Sequence, residues 1–122
     1  MPKLIGMFRR KVGTTHAEFR EYYETRHAPL ALSLYGDLFA AYRRNYVEHD
    51  DHHLDRSRAQ ADDLDVITEI VFDTAEAMQE MFARTGEDPK VREAIATDEA
   101  AFMDRPASRI LIITDHCESS TR

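Results

Sequence analysis

Tyr23 and His27 are the two residues whose types and spacing point most directly to chemistry. They lie four residues apart in a helical pattern, and they share its apolar stripe with Phe19 and Leu30. An inward-facing histidine has two interpretations. It can be a core residue whose ring nitrogens are satisfied by the Tyr23 hydroxyl and a carbonyl, or a general acid/base, because imidazole titrates near neutral pH. Spacing alone leaves both open.

Tyr42 and Tyr46 are a second pair of candidates, on a predicted strand. They differ by an even number of positions, so their side chains share one face of the strand and could line one pocket. Aromatic residues are also favoured in sheets for their packing alone. We name both as candidate substrate-binding residues.

Asp65 and Glu69 share one face of a later strand with apolar neighbours. A carboxylate in such surroundings can orient a catalytic base, or it can pair with Arg9 or Arg43 across the sheet. We include Asp65 and Glu69 among the candidate substrate-binding residues. For Arg26, a surface or interface ion pair is favoured over an oxyanion contact.

The stretch 49–55 is rich in histidine and aspartate, residue types that bind metals. It lacks the three or four convergent ligands that a nitrogen and carboxylate site needs, so no metal site is predicted. His52 could instead fold over a pocket as a lid or second acid/base, and it completes the candidate binding set. The sequence has no glycine-rich phosphate loop, nucleophile elbow or paired cysteines, so no cofactor is expected.

Composition narrows the class of protein and its partners. Sixteen basic residues against 23 acidic ones give a net charge of −7, which argues against a nucleic-acid surface. The single cysteine, Cys117, excludes an intrachain disulfide. The first apolar run is too short for a signal peptide or a membrane span, so we expect a cytoplasmic protein that does not contact membranes.

The chain of 122 residues predicts one α+β domain with a long polar loop and a flexible tail at 117–122. Helix caps are predicted at Thr14 or Thr15, with Glu18 completing a capping box, and at Asp73 or Thr74. Pro29 predicts a kink or break just before it in the first helix. The predicted elements are, in chain order, strand 3–10, helix 14–34, strand 39–48, loop 49–64, strand 65–73, helix 74–82, turn 85–89, helix 90–103 and strand 107–115.

This order predicts a ferredoxin-like βαββαβ fold, with a four-stranded antiparallel sheet and helices on one face. The strands carry apolar residues on both sides, notably Ile67 and Val71 opposite Val66 and Ile70. A sheet with one uncovered face alternates with polar residues, so this pattern predicts a homodimer in which a second copy covers the open face.

Several segments resemble the EthD family of the dimeric α/β-barrel superfamily, almost from end to end. The residues that carry the resemblance are strand 3–10 with Arg9-Arg10-Lys11-Val12-Gly13, the segment Phe19 to Leu30 with its Arg26-His27-Ala28-Pro29-Leu30 motif, the segment Asp65 to Asp73, and Asp98 to Arg105. The resemblance implies a barrel of two sheets, a pocket between helices and sheet in each subunit, and cofactor-free proton transfer by His27.

The function expected on these grounds is that of a cofactor-free lyase or isomerase acting on a small cyclic or aromatic carbonyl metabolite. His27 and Tyr23 are the candidate catalytic residues. A non-catalytic small-molecule-binding protein of a catabolic or polyketide pathway is the main alternative. A monooxygenase of the related barrel type is a third hypothesis.

Overall fold

The fold comes from a computed structural model that describes residues 1–48 and 64–121. Within these residues, four strands and four α-helices follow one another in the order β-α-α-β-β-α-α-β, and a π-helical turn, Tyr23–His27, joins the first two helices. The strands and helices are β1 (Lys3–Phe8), α1 (His16–Tyr22), α2 (Ala28–Tyr35), β2 (Ala41–Tyr46), β3 (Val66–Val71), α3 (Ala75–Glu87), α4 (Pro89–Phe102) and β4 (Arg109–Ile113). The predicted loop 49–64 lies outside the described residues except for its last position.

The first helical segment begins as the sequence predicts. Thr15 accepts a hydrogen bond from the Glu18 backbone amide at 3.1 Å, and the Glu18 carboxylate accepts one from the Thr15 amide at 2.9 Å. This capping box satisfies backbone donors that the first helical turn leaves unpaired. Pro29 has no amide hydrogen to donate to the carbonyl four residues earlier. The helix widens into the π turn just before this proline, which is where the sequence predicts a distortion, and then continues.

The second half of the chain has longer helices than predicted. Helix α3 runs to Glu87 instead of ending near Phe82, so the predicted turn 85–89 shrinks to Asp88. The Asp88 carboxylate accepts a hydrogen bond from the Lys90 amide at 2.9 Å, and Pro89 takes the first position of α4. A glycine inside a helix costs only about 1 kcal/mol relative to alanine. Gly86 therefore does not end α3.

The strands are each shorter than predicted, and turns precede β2 and β4. The Phe39 amide donates to the Gly36 carbonyl at 3.2 Å, so β2 begins at Ala41. A 3-10 turn, Arg105–Ala107, is capped by Asp104 and delays β4 until Arg109. These boundaries correct the predicted strands 39–48 and 107–115.

The four strands form one antiparallel sheet in the order β2-β3-β1-β4. Residues on one face of the central strands, such as Leu4, Phe8 and Thr68, are buried. The opposite face carries apolar side chains that all stay partly exposed, namely Ile5, Met7, Ile67, Val71, Leu111 and Ile113. The structure thus confirms the α+β ferredoxin-like fold and leaves one apolar sheet face without full cover.

The core on the helix side holds a group of aromatic side chains. Phe19 and Phe102 pack at 5.1 Å between ring centroids, and the Tyr23 ring stands edge-on to Phe102 at 5.7 Å. Gly6 leaves room for the Phe8 ring, because a Cβ added at Gly6 would lie 2.2 Å from that ring. None of the described helices is long and apolar enough to cross a membrane.

Candidate functional site

A cavity of about 250 Å³ lies between the first helical segment, the sheet and the α3–α4 pair. Apolar side chains make up most of its wall, including Leu4, Phe8 and Ile70 from the sheet and Ile95 from α4. Its polar groups come from His27, from tyrosine and threonine hydroxyls, and from charged residues on α4 and in the turn that follows it. A mostly apolar cavity with convergent polar groups is typical of small-molecule sites.

His27 lines this cavity and is 6% exposed. Its Nδ1 atom lies 2.6 Å from Oδ2 of Asp98, and its ring stands nearly perpendicular to the Tyr23 ring at 4.9 Å. The predicted Tyr23–His27 proximity is therefore confirmed, but as a ring contact. The hydrogen-bond partner is a carboxylate, where the core interpretation expected the Tyr23 hydroxyl and a carbonyl.

The Asp98 contact determines which ring nitrogen of His27 is available. A carboxylate accepts hydrogen bonds, so Nδ1 carries a proton, and in the neutral ring Nε2 presents its lone pair. No described residue bonds Nε2, and every fully buried side-chain nitrogen or oxygen atom among the described residues has a partner. It follows that Nε2 is open to the cavity space. A histidine with one nitrogen oriented by a carboxylate and the other open is arranged as a general base.

Asp98 is in turn held by Tyr22, whose hydroxyl donates to Oδ1 at 2.9 Å. Burial, together with the Asp98 hydrogen bond, raises the pKa of Tyr22, so its phenol stays a donor. The Tyr22 ring stacks on Phe102 at 4.8 Å. Sequence reasoning placed Asp98 in a family pattern but gave it no role, because a contact across 71 residues leaves no periodic signal.

Three hydroxyl groups form a chain in the cavity wall. The Tyr42 hydroxyl donates to the Tyr23 hydroxyl at 3.2 Å, and the Tyr23 and Thr68 oxygens lie 2.7 Å apart. When Thr68 donates, the Tyr23 proton is free to hydrogen-bond a guest in the cavity. Burial raises the pKa values of both Tyr23 and Tyr42, so both phenols stay neutral.

Tyr46 shares its strand face with Tyr42, as predicted, but it does not line the cavity. Its hydroxyl donates to Glu24, which Arg44 also binds through two nitrogens at 2.6 and 3.0 Å. The Arg44 hydrogen bonds, followed by the one from Tyr46, lower the pKa of Glu24 to about 2 despite its partial burial. Tyr46 therefore belongs to a charged cluster that ties β2 to the π turn.

The predicted binding residues Asp65 and Glu69 also lie outside the cavity. Asp65 is 2% exposed, accepts a 2.7 Å hydrogen bond from the Arg10 backbone and pairs with His16. Glu69 lies on the other sheet face, 3.5 Å from Arg43. For Glu69 the structure supports the ion-pair interpretation, and Asp65 forms ion pairs with Arg10 and His16.

His52, like the whole stretch 49–55, lies outside the described residues. Within the ranges 1–48 and 64–121, no group of three histidine, cysteine or acidic residues could hold a metal ion.

Glu99 is a cavity residue that sequence reasoning missed. It follows Asp98 on α4, lines the same cavity as His27 and forms an ion pair with Arg105 at 3.4 Å. Burial raises its pKa, while the charges of Arg105 and His27 act in the opposite direction. A signal was available, since Ile95, Glu99 and Phe102 are spaced four and three apart on one helical stripe.

The sheet order, the helices on one face and the cavity beneath them define a ferredoxin-like α+β protein. The chain belongs to the EthD family, because the family model for the EthD domain matches residues 11–106. The search of curated proteins gives no match.

Two of the solved structures with this fold are described as EthD proteins. An EthD-like protein from Ralstonia eutropha JMP134 is 21% identical, with a TM-score of 0.64 over 99% of this chain and 96% of its own. An EthD family protein from Bacillus halodurans is 17% identical, with a TM-score of 0.61 over 95% and 99%. SnoaB from Streptomyces nogalater, a cofactor-independent oxygenase, is 17% identical with a TM-score of 0.54 over 96% and 94%. At these identities the likeness shows the fold alone.

Proposed function

We propose that this protein is a cofactor-free lyase or isomerase in which His27 transfers a proton on a small cyclic or aromatic carbonyl compound. The observation that carries the proposal is the orientation of the His27 ring. Asp98 holds Nδ1 at 2.6 Å, and Nε2 opens to an apolar cavity. The family resemblance, which assigns proton transfer to the same helical histidine, supports it independently.

The proposed reaction begins with removal of a proton from the carbon next to a carbonyl. His27 Nε2 takes this proton, and Asp98 stabilises the imidazolium that forms, as a carboxylate partner does in catalytic triads. Tyr23 donates a hydrogen bond to the developing oxyanion, with Tyr42 supporting the Tyr23 oxygen. General acid–base catalysis of this kind contributes roughly 10²–10⁴-fold, so positioning of the substrate by the apolar wall must add to it.

The volume and lining of the cavity restrict the substrate. A dry cavity of about 150 Å³ suffices for benzene. At about 250 Å³, this cavity has room for a substituted ring or two fused rings. Its mostly apolar wall favours a ring compound over an open-chain polar metabolite.

The open sheet face supports a homodimer as part of this proposal. Ile5, Met7, Ile67 and Leu111 stay partly exposed on one continuous face. Apolar patches of this kind mark interaction sites, and a symmetric pair of sheets would bury both copies at once. We also place the protein in the cytoplasm, where a lone thiol such as Cys117 stays reduced.

Two other functions use the same cavity. A binding protein would use the hydroxyl chain of Tyr42, Tyr23 and Thr68 to orient a ligand without reaction. An oxygenase is favoured only by the fold shared with SnoaB. Oxygen consumption with an aromatic phenol as substrate would identify the oxygenase, and its absence would remove that alternative.

The test of the main proposal is hydrogen–deuterium exchange of 2-tetralone in D₂O, followed by proton NMR. This ketone has two fused rings and acidic protons next to its carbonyl. The wild-type protein should accelerate exchange above the buffer rate, and His27→Asn should remove the acceleration. Binding of 2-tetralone without accelerated exchange would favour the binding protein and contradict the proposed chemistry.

A further inference from the structure

Helix α4 presents two consecutive carboxylates to the site in different settings. Asp98 contacts the Nδ1 atom of His27, whereas Glu99 lines the same cavity as His27. The proposed reaction uses Asp98 but leaves Glu99 without a role. A mostly buried carboxyl group beside a candidate base is a combination that proteins use for paired acid and base chemistry.

The surroundings of Glu99 hold its carboxyl group partly out of water. Its side chain is 17% exposed, and burial is the largest cause of its raised pKa. Asp98 acts in the same direction, and Arg105 and His27 oppose it. The titratable and charged groups that line the cavity or an adjoining hollow with Glu99 are His27, Arg92, Arg105 and Arg109, and Asp98 precedes it on α4.

The other polar groups of the cavity are poor proton donors. Burial raises the pKa values of Tyr23 and Tyr42, so these phenols donate hydrogen bonds but keep their protons. The Tyr42 hydroxyl is already used on Tyr23. Among the described residues that line the cavity, Glu99 is the only one with a carboxyl group.

We propose that Glu99 is the second proton-transfer residue of the cavity, acting on the substrate oxygen while His27 acts on carbon. The inference rests on the proposed function. The carbon–hydrogen bond breaks, its proton goes to His27 Nε2, and its electron pair forms the carbon–carbon double bond. The carbonyl oxygen takes the Glu99 proton and becomes an enol. In the second step of the reaction, the enol proton returns to Glu99 while His27 delivers its proton to carbon. Both residues then regain their starting protonation states.

The first experiment is the pH profile of 2-tetralone exchange for wild type and three variants. Wild-type exchange should fall as pH rises through the pKa of Glu99, which burial raises. Glu99→Gln should exchange at least about tenfold more slowly below that pKa and should lose the fall. Arg105→Gln should move the fall to higher pH, because the Arg105 charge lowers the pKa of Glu99. Glu93→Gln, at an exposed position on the same helix, is the matched control and should behave as wild type.

The outcomes separate this inference from the proposed function. If His27→Asn removes exchange while Glu99→Gln keeps the wild-type rate and profile, the Glu99 role is overturned and the proposed function stands. If wild type does not accelerate exchange at all, the proposed function fails and this inference fails with it. Thermal melting and the affinity for 2-naphthol, measured by its fluorescence, check that Glu99→Gln folds and keeps its cavity.

A second experiment tests the pairing without any reaction. Side-chain carboxyl carbons are labelled with ¹³C, and Glu99 is titrated by NMR in wild type and in His27→Ala. Because the positive charge of protonated His27 lowers the pKa of Glu99, the Glu99 titration should move to higher pH in the variant. An identical Glu99 titration in both proteins would overturn the proposal.

Discussion

The His27 Nδ1 atom and the Asp98 Oδ2 atom lie 2.6 Å apart, although 71 positions separate the two residues in the chain. The π turn places His27 on the inner side of the first helical segment, and α4 returns Asp98 to meet it. Tyr22 fixes the other carboxylate oxygen. This three-residue contact orients the His27 ring, as the proposed proton transfer requires, and it also joins α4 to the π turn.

Replacement of His27 separates its chemical role from its packing role. His27→Asn keeps a side-chain amide that can donate to Asp98 but removes the basic nitrogen. We expect 2-tetralone exchange to fall by roughly 10²-fold or more, with a melting temperature within about 5 °C of wild type. His116→Asn, at an exposed position after β4, is the control. Loss of folding in His27→Asn would instead support the core interpretation of this histidine.

Asp98→Asn tests whether the carboxylate charge matters. The amide is the same size, but it can offer Nδ1 a donor, which would turn the ring into the wrong tautomer. We expect exchange to slow by at least about tenfold, with a smaller effect on the affinity for 2-naphthol. Asp73→Asn, an exposed position before α3, should change neither quantity. Equal rates for Asp98→Asn and wild type would contradict the orienting role.

The Glu24–Arg44–Tyr46 cluster predicts a pH-dependent contribution to stability. The pKa of Glu24 is lowered to about 2 in the folded state, so its stabilisation is present above the unfolded value near 4.5. It is lost as pH falls from about 5 towards 2. Because Glu24 is partly exposed, we expect about 1 kcal/mol. Urea unfolding of wild type and Glu24→Gln should differ at pH 7, and the difference should shrink by roughly half or more at pH 3; a constant difference would contradict this.

Gly6 and Gly86 form a matched pair for a packing prediction. A Cβ at Gly6 would lie 2.2 Å from the Phe8 ring, whereas one at Gly86 would meet nothing within 4 Å. Gly6→Ala should lower the free energy of unfolding by about 1–3 kcal/mol through overpacking. Gly86→Ala should raise it by up to about 1 kcal/mol, because Gly86 lies within helix α3. Urea unfolding measures both, and a Gly6→Ala variant as stable as wild type would be evidence against the close Phe8 contact.

The open sheet face predicts the oligomeric state. Size-exclusion chromatography with light scattering should give a dimer at micromolar concentration for wild type. Ile67→Glu, in the middle of that face, should give a folded monomer, since a buried unpaired charge is costly. Leu32→Glu, at an exposed position on the helix side, is the control and should leave the dimer intact. A stable wild-type monomer would contradict the dimer.

The fold class and most elements were predictable from the sequence, because they follow from short-range patterns. The capping box at Thr15, the distortion before Pro29 and the apolar runs of the strands all depend on neighbours within a few positions. The inward placement of Tyr23 and His27 came from the same kind of pattern. Element ends were less predictable, since turns at Gly36 and Asp104 compete with the strands for backbone hydrogen bonds.

The tertiary structure alone decided which residues meet in the cavity. Tyr42 and Tyr46 share a strand face, yet of these two only Tyr42 lines the cavity. The Tyr46 hydroxyl donates its hydrogen bond to Glu24 instead. Asp98 and Glu99 reach the site from the opposite end of the chain. Strand and helix periods specify the face on which a side chain lies. The partners that meet across that face depend on how distant elements pack.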